Sequence, residues 1–129
     1  MLNEKYLIIG GNSLVGSSVY NYLKNKSANV KFTTRKNILN KNAIYFNLEK
    51  PKKLNIQNAK VFFCAAETSI PYCEENSQIS ELVNVKNTLT SIKNLLKNNC
   101  KIVFFSSQAV FDGNKKNCIE TDKLNPTCN

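Results

Sequence analysis

The sequence predicts an α/β fold in which helices cover both faces of a parallel β-sheet. Two observations favour this class. Several short runs, such as residues 6–9 (YLII), are apolar without alternation, which is typical of strands buried on both faces. Between these runs lie segments whose apolar residues recur at helical spacing. Strands that alternate with helices indicate parallel pairing through right-handed crossovers.

Five apolar or β-branched segments are predicted as strands: residues 6–9, 30–34, 43–46, 61–66 and 102–105. A helix is predicted from residue 14 to about residue 26, and a longer one from about residue 77 to residue 98, because apolar side chains recur there at helical spacing. Residues 51–57 leave room for at most a short helix. The chain from Asp112 onward is polar and is predicted to be a loop.

Length and composition limit the classes of function. With 129 residues, 42% of them hydrophobic and 21% charged, residues 1–129 are expected to form one domain with a packed core. The sequence contains no histidine, which excludes Ser-His-Asp and Cys-His catalysis and a His-rich zinc site within this chain. Glu67, Glu74 and Glu75 have no partner ligands at suitable spacing, so we predict no metal site.

The formal net charge of +9 has two interpretations. It is typical of proteins that bind nucleic acid or anionic membranes, and polyanion binding would weaken steeply with salt. It also follows from a composition crowded with Lys and Asn. The lysines are scattered, and no aromatic residues are interleaved as in single-strand binders. We therefore favour the compositional interpretation and expect no nucleic-acid partner.

The five cysteines, at positions 64, 73, 100, 118 and 128, indicate the compartment. Their number is odd and none forms a Cys-x-x-Cys pair, which favours reduced thiols in a cytoplasmic protein. Cys64 lies in an apolar run and is expected to serve packing. No signal-peptide core and no apolar run of membrane-spanning length is present, so no membrane association is expected.

The most informative motif is a glycine-containing turn that separates the first strand from the first helix. This is the context of the phosphate-binding turn in Rossmann-type, doubly wound sheets. Gly10 would allow the tight turn and Gly16 a close approach of helix to strand, while the helix N-terminus offers free N–H groups to a pyrophosphate. The candidate cofactor-binding residues are Gly10, Gly11, Asn12, Ser13, Leu14, Val15 and Gly16. A strand-to-helix turn without a ligand remains the alternative.

Ser13 occupies a position where a third glycine is usual. Its side chain would either crowd the phosphates or donate a hydrogen bond to one of them.

The single arginine of the chain, Arg35, lies 19 residues after Gly16, at the predicted end of the second strand. In dinucleotide-binding folds, a residue about 20 positions beyond the glycine turn contacts the adenosine ribose. An acidic residue there binds the 2′-hydroxyl of NAD, whereas a guanidinium can bind the 2′-phosphate of NADP. Arg35, followed by Lys36, therefore favours NADP over NAD. A solvated charge at a strand end is the alternative.

Further motifs bear a resemblance to a known family. They are Asn47-Leu48 after the third strand, Cys64-Ala65-Ala66 after the fourth, Asn84-Val85-Lys86-Asn87-Thr88 in the long helix, and Ser106-Ser107-Gln108-Ala109-Val110-Phe111-Asp112-Gly113 after the fifth. Together with the glycine turn, they resemble the extended short-chain dehydrogenase/reductase family, particularly its dTDP-4-dehydrorhamnose reductase-like branch. The resemblance covers essentially the whole chain.

The resemblance implies further cofactor contacts. Asn47 and Leu48 match an Asp-Leu pair beside the adenine, with an amide in place of the acid. The other residues it implies at the cofactor site are Cys64, Ala65, Ala66, Asn84 and Ser106.

The resemblance also implies a catalytic residue. Ser107 matches the Ser/Thr whose hydroxyl bonds the reacting carbonyl or hydroxyl of the substrate. Gln108 and Ala109 replace the branch's Asp and Tyr, which help read the sugar. In the family, the stretch from Glu120 to Asn129 runs into a Tyr-x-x-x-Lys pair, in which the lysine lowers the pKa of the catalytic tyrosine. No tyrosine after the fifth strand has a lysine four residues later.

The resemblance predicts an NADP-dependent nucleotide-sugar reductase or epimerase, of which this chain is the cofactor-binding N-terminal part, ending before the last strands and the substrate domain. Alone it is expected to be inactive. The alternative is a non-catalytic module that binds a dinucleotide or nucleotide sugar. The expected partner is a nucleotide-sugar substrate. Without a strand beyond it, segment 102–105 would form an open sheet edge to which a second copy could pair in a homodimer.

Overall fold

A computed structural model describes residues 4–26, 29–36 and 40–127. Five strands form one sheet in which every pairing is parallel. The strands are β1 (Lys5–Ile9), β2 (Val30–Thr34), β3 (Ala43–Tyr45), β4 (Ala59–Phe63) and β5 (Lys101–Phe104). A sheet of five parallel strands, with helices following β1 and β4, confirms the predicted Rossmann-type α/β class.

The strands lie in the order β3-β2-β1-β4-β5. The chain builds outward from β1 in one direction through β2 and β3, then crosses back to place β4 on the other side of β1. In open parallel sheets, ligands bind at such a reversal point, beyond the carboxyl ends of the strands. The topology therefore places the candidate site beyond Ile9 and Phe63, which are directly paired in the β1–β4 register.

Helix α1 (Leu14–Lys24) follows the glycine turn. After β4 come α2 (Ile70–Glu75) and α3 (Ser77–Glu81), which continues through a π-helical turn, Leu82–Asn87, into α4 (Thr88–Lys97). A short 3₁₀ helix, Gln108–Val110, follows β5.

The predicted boundaries differ from the structure most clearly in the helix after β4 and in β4 itself. Helical structure after β4 begins at Ile70 rather than near residue 77, because the Ser69 hydroxyl caps the N–H of Tyr72 and Pro71 suits a first turn. Strand β4 begins at Ala59, which is buried opposite Lys5 of β1, and ends at Phe63. Residues 51–57 contain no helix, which is consistent with the prediction of at most a short one.

The core lies on both faces of the sheet because successive residues of a strand point in opposite directions. Leu7 and Ile9 pack on one face with Val61, Phe63 and the α4 residue Leu95. On the other face, Ile8 packs with Tyr20 of α1 and Val30 of β2. Leu7, Ile8 and Ile9 are all 0% exposed, which explains why β1 is apolar without alternation.

Strand β5 lies at one edge of the sheet, as predicted. Val103 is 46% exposed and Phe104 52%, although the Phe104 ring lies 5.8 Å from that of Phe63. Within the described ranges, no helix has the length and apolar character needed to cross a membrane.

Candidate functional site

A cleft of about 270 Å³ opens beyond the carboxyl ends of β1, β2 and β4. Six of its lining residues come from the glycine turn and the chain following β4: Gly10, Asn12, Ser13, Cys64, Ala65 and Ala66. Three more predicted residues line it from the ends of β2 and β3: Arg35, Asn47 and Leu48. The sheet thus gathers into one cavity residues that are far apart in the sequence.

The glycine turn is held tightly against its neighbours. Gly10 has a φ of +83°, a conformation that side chains rarely adopt, and its N–H donates to Thr33 Oγ1 at 2.9 Å. A Cβ on Gly10 would lie 2.9 Å from Ala65, and one on Gly11 would lie 2.6 Å from Phe32. These contacts explain why the turn has glycine at both positions, and they bring its backbone to the cleft.

Gly16 and Ser13 hold the first turn of α1 close to the glycine turn. A Cβ on Gly16 would lie 2.2 Å from the carbonyl oxygen of Gly10, so only glycine fits here. Ser13 Oγ accepts a hydrogen bond from the N–H of Gly16 at 3.0 Å and donates to Gly10 O at 2.8 Å. The serine that replaces the usual glycine therefore caps the helix, and its hydroxyl is engaged within the turn.

The first turn of α1 provides unpaired donors. The N–H groups of Leu14 and Val15 donate to no acceptor in the part of the chain that the structure describes. Together with the positive end of the helix dipole, such amides are suited to binding a phosphate group. The Leu14 side chain is 86% exposed and is not required for the core.

Arg35 follows β2 and also lines the cleft. Its Nη1 atom lies 4.0 Å from Oε1 of Glu49, and both side chains are largely exposed. Glu49 also lines the cleft, although the sequence analysis assigned it no role. No local motif marks Glu49, because its position beside Arg35 depends on the pairing of β2 with β3.

Two asparagines of the π-helical turn fix the loops that border the cleft. Asn84 accepts from the N–H of Glu67 and donates to its carbonyl oxygen, both at 2.9 Å. Asn87 Nδ2 donates to Leu48 O at 2.6 Å and lies 3.3 Å from Glu49 O. Asn84, which the resemblance implied at the cofactor, thus holds the loop after β4 and does not line the cleft.

Cys64 lies at the end of β4, where its backbone N–H donates to Ile9 O at 2.8 Å. Burial raises the pKa of its thiol to about 11. The thiol therefore stays protonated at neutral pH, which suits the predicted packing role and makes it a poor nucleophile.

Ser107 caps the 3₁₀ helix after β5, its Oγ accepting from the N–H of Ala109 at 3.1 Å. Ser106 and Ser107 are both exposed and do not line the cleft. Four other predicted residues also lie outside the cleft lining although they belong to the turn or the end of β2: Gly11, Leu14, Val15 and Lys36, while Gly16 is buried beneath the turn.

The spacing Tyr-x-x-x-Lys does occur earlier in the chain, at Tyr20–Lys24 within α1 and at Tyr22–Lys26, whose lysine follows the end of α1. Lys26 Nζ donates to the Tyr22 hydroxyl at 2.7 Å. Neither pair lines the cleft, and Tyr20 is buried against Phe32. These pairs therefore do not take the position that the family's catalytic pair occupies after β5.

The family model described as RmlD substrate binding domain matches residues 4–129. The chain belongs to this family. The resemblance inferred from the glycine turn and the segment after β5 is thereby confirmed. The match includes both the residues that line the cleft and the Ser106–Gly113 segment. A comparison with curated proteins returned no match.

Solved structures share the fold. A structure of MoeE5 with UDP-glucose and NAD has a TM-score of 0.82 and 22% identity, over 96% of this chain and 43% of that chain. A UDP-N-acetylglucosamine 4-epimerase from Methanobrevibacter ruminantium M1, with UDP-N-acetylmuramic acid, has a TM-score of 0.75 and 21% identity, over 99% and 46%. A hypothetical dTDP-4-dehydrorhamnose reductase from Sulfolobus tokodaii has a TM-score of 0.79 and 19% identity, over 96% and 46%. This chain thus spans less than half the length of each.

Within the described residues, no group of three or more Cys, Asp or Glu side chains is arranged to hold a metal ion.

Proposed function

We propose that residues 1–129 form the dinucleotide-binding part of a nucleotide-sugar oxidoreductase of the reductase or epimerase type. One observation carries the proposal: the unpaired amides of Leu14 and Val15 directly follow Asn12 and Ser13, which line the same cleft as Arg35. A pyrophosphate at the helix N-terminus and a ribose beyond the end of β2 are what this arrangement suits. The nucleotide-sugar substrate is proposed from the family and from the similar structures that contain UDP-sugars.

We propose NADP as the preferred cofactor. The guanidinium of Arg35 can bind a 2′-phosphate through two N–H groups, and Lys36 adds a second cation at the same strand end. Asn47 and Leu48, which line the same part of the cleft, are proposed to lie beside the adenine. Ala65 and Ala66 also line the cleft, and their small side chains occupy little of it. When bound, the nicotinamide supplies or accepts the hydride.

Ser107 is proposed to orient the substrate's reacting oxygen. Ser107 follows the carboxyl end of β5, as the glycine turn follows the carboxyl end of β1. Its Oγ accepts from the N–H of Ala109 and still has a proton to donate. No Tyr-x-x-x-Lys pair follows β5 in these residues, so we expect the 129-residue chain to bind a dinucleotide without turnover. Four free thiols among the described residues, Cys64, Cys73, Cys100 and Cys118, support a cytoplasmic location.

Fluorescence titration of NADPH and NADH tests the proposal directly. We expect saturable binding of both, tighter for NADPH. Arg35→Ala should weaken NADPH binding roughly tenfold, the loss expected for one charge-assisted contact, and should change NADH binding little. Lys97→Ala is the matched control, because it removes one exposed cation of α4 outside the cleft. Absence of binding to either nucleotide would refute the proposal. Binding that Lys97→Ala weakens equally and that salt abolishes would instead indicate polyanion binding.

A further inference from the structure

The side chain of Glu49 lies where it can affect the choice between the two cofactors. Its Oε1 atom is 4.0 Å from Nη1 of Arg35, longer than the 2.7–2.9 Å typical of a charge-assisted hydrogen bond. The two side chains are 66% and 52% exposed, so water competes with the pair. Such a loose pair can separate readily when another anion approaches Arg35.

The backbone beneath Glu49 is firmly held, in contrast to its side chain. Its N–H donates to Asn47 Oδ1 at 3.0 Å, and the preceding carbonyl, of Leu48, accepts from Asn87 Nδ2 at 2.6 Å. Leu48 itself is buried at 7% exposure. The carboxylate is therefore kept within reach of Arg35 whether or not the two groups are in contact.

These contacts have opposite consequences for the two nucleotides. A 2′-phosphate that binds Arg35 would compete with the Glu49 carboxylate for the guanidinium and remain close to a like charge, which is unfavourable. A 2′-hydroxyl has no charge to repel, and a nearby carboxylate can accept its hydrogen bond. Glu49 thus opposes NADPH and tolerates or assists NADH.

We propose that Glu49 is a specificity-determining residue whose carboxylate competes with a ribose 2′-phosphate for Arg35 and so narrows the preference for NADPH over NADH. The proposal rests on the dinucleotide-binding function proposed above. It assigns to the loop after β3 a role in selectivity that sequence reasoning gave to the end of β2 alone.

The test compares NADPH and NADH dissociation constants, measured by fluorescence titration at low and high salt, for the unaltered chain, Glu49→Gln and Glu81→Gln. Glu81→Gln is the matched control, because Glu81 is an exposed carboxylate that pairs with Lys86 outside the cleft. Glu49→Gln should tighten NADPH binding about three- to tenfold, the size of an exposed charge effect, and leave NADH binding unchanged or slightly weaker. Glu81→Gln should change neither.

A variant lacking Arg35 separates competition from simple charge repulsion. In an Arg35→Ala background, the gain from Glu49→Gln should be clearly smaller than in the unaltered chain. An equal gain in both backgrounds, an unchanged NADPH-to-NADH ratio, or an equal effect of Glu81→Gln would each overturn the role of Glu49 while leaving dinucleotide binding intact. Failure of the unaltered chain to bind either nucleotide would overturn both proposals.

Discussion

Strand β1 is completely buried along Leu7, Ile8 and Ile9, whereas β5, which is equally apolar in sequence, leaves Val103 and Phe104 about half exposed. The difference arises from position in the sheet. β1 has a hydrogen-bonded neighbour on each side and packing on both faces, while β5, among the residues that the structure describes, is paired only with β4. An apolar run therefore predicts a strand, but the number of neighbouring strands decides how deeply that strand is buried and how much its burial contributes to stability.

The segments that follow the two strands also differ, in the chemical groups that hold them in place. The turn after β1 is held by neutral groups: backbone amides, the Thr33 hydroxyl and the Ser13 hydroxyl. The segment after β5 is held largely by carboxylates, since Asp122 accepts from Lys115 and from the N–H of Ile119. We expect the first region to be rigid and insensitive to pH, and the second to be weaker and sensitive to it.

The largest effect is expected from Gly16→Ala. The added methyl group would lie 2.2 Å from the backbone oxygen of Gly10, which cannot move without displacing the turn. We expect a loss of about 3 kcal/mol in the free energy of unfolding, measured by urea denaturation, together with loss of NADPH binding. Gly113→Ala, in the segment after β5, is the control: its φ is +79°, but nothing lies within 4 Å, so only about 1 kcal/mol should be lost. Equal losses of unfolding free energy for the two variants would contradict the proposed difference in rigidity between the two regions.

A matched pair of valines compares a central strand with the edge strand. Val61 of β4 is 0% exposed, whereas Val103 of β5 is 46% exposed. Urea denaturation should show a loss of about 2 kcal/mol for Val61→Ala and no more than about 0.5 kcal/mol for Val103→Ala. A loss at Val103 as large as that at Val61 would mean that β5 is covered in solution, for which sedimentation of the same samples provides a check.

The smallest expected effect is a local loss of stability around Asp122 at acidic pH. Hydrogen bonding to Lys115, and then to the Ile119 N–H, holds the pKa of Asp122 below its ordinary value. A carboxyl whose pKa is lowered by folding stabilises the fold above its ordinary pKa, and this contribution is lost as the pH falls through the lowered value, that is, below about pH 4. Amide exchange corrected for intrinsic rates should therefore show loss of protection at Ile119 between pH 6 and pH 3, with little change at Gly11.

Asp122→Asn is the control for the acid experiment, because it should make protection at Ile119 low and nearly independent of pH. The pKa of Glu4 is also lowered, chiefly by its hydrogen bond from Lys60, but Glu4 precedes β1 and lies at the opposite end of that strand from the turn. A parallel loss of protection at Gly11 and Ile119 would show that the two regions open together.

The strands and the glycine turn were predictable because their causes are local. Continuous apolar runs indicate strands that are buried on both faces. Gly10 and Gly16 occupy positions where a Cβ does not fit. The π-helical turn at Leu82–Asn87 was not predictable, since its sequence continues the helical pattern on either side. It depends on packing, and it positions Asn87 to reach the loop after β3.

The sequence by itself determined the α/β class, the turn and the lone arginine at the end of β2, because periodicity and residue type act within a few positions of the chain. Only the tertiary structure decided that Glu49 lies beside Arg35 and that Asn87 binds the backbone of Leu48, 39 residues away. These contacts follow from the order in which parallel strands assemble. That order also leaves β5, rather than β1, at the edge, because β1 is the strand from which the sheet extends in both directions.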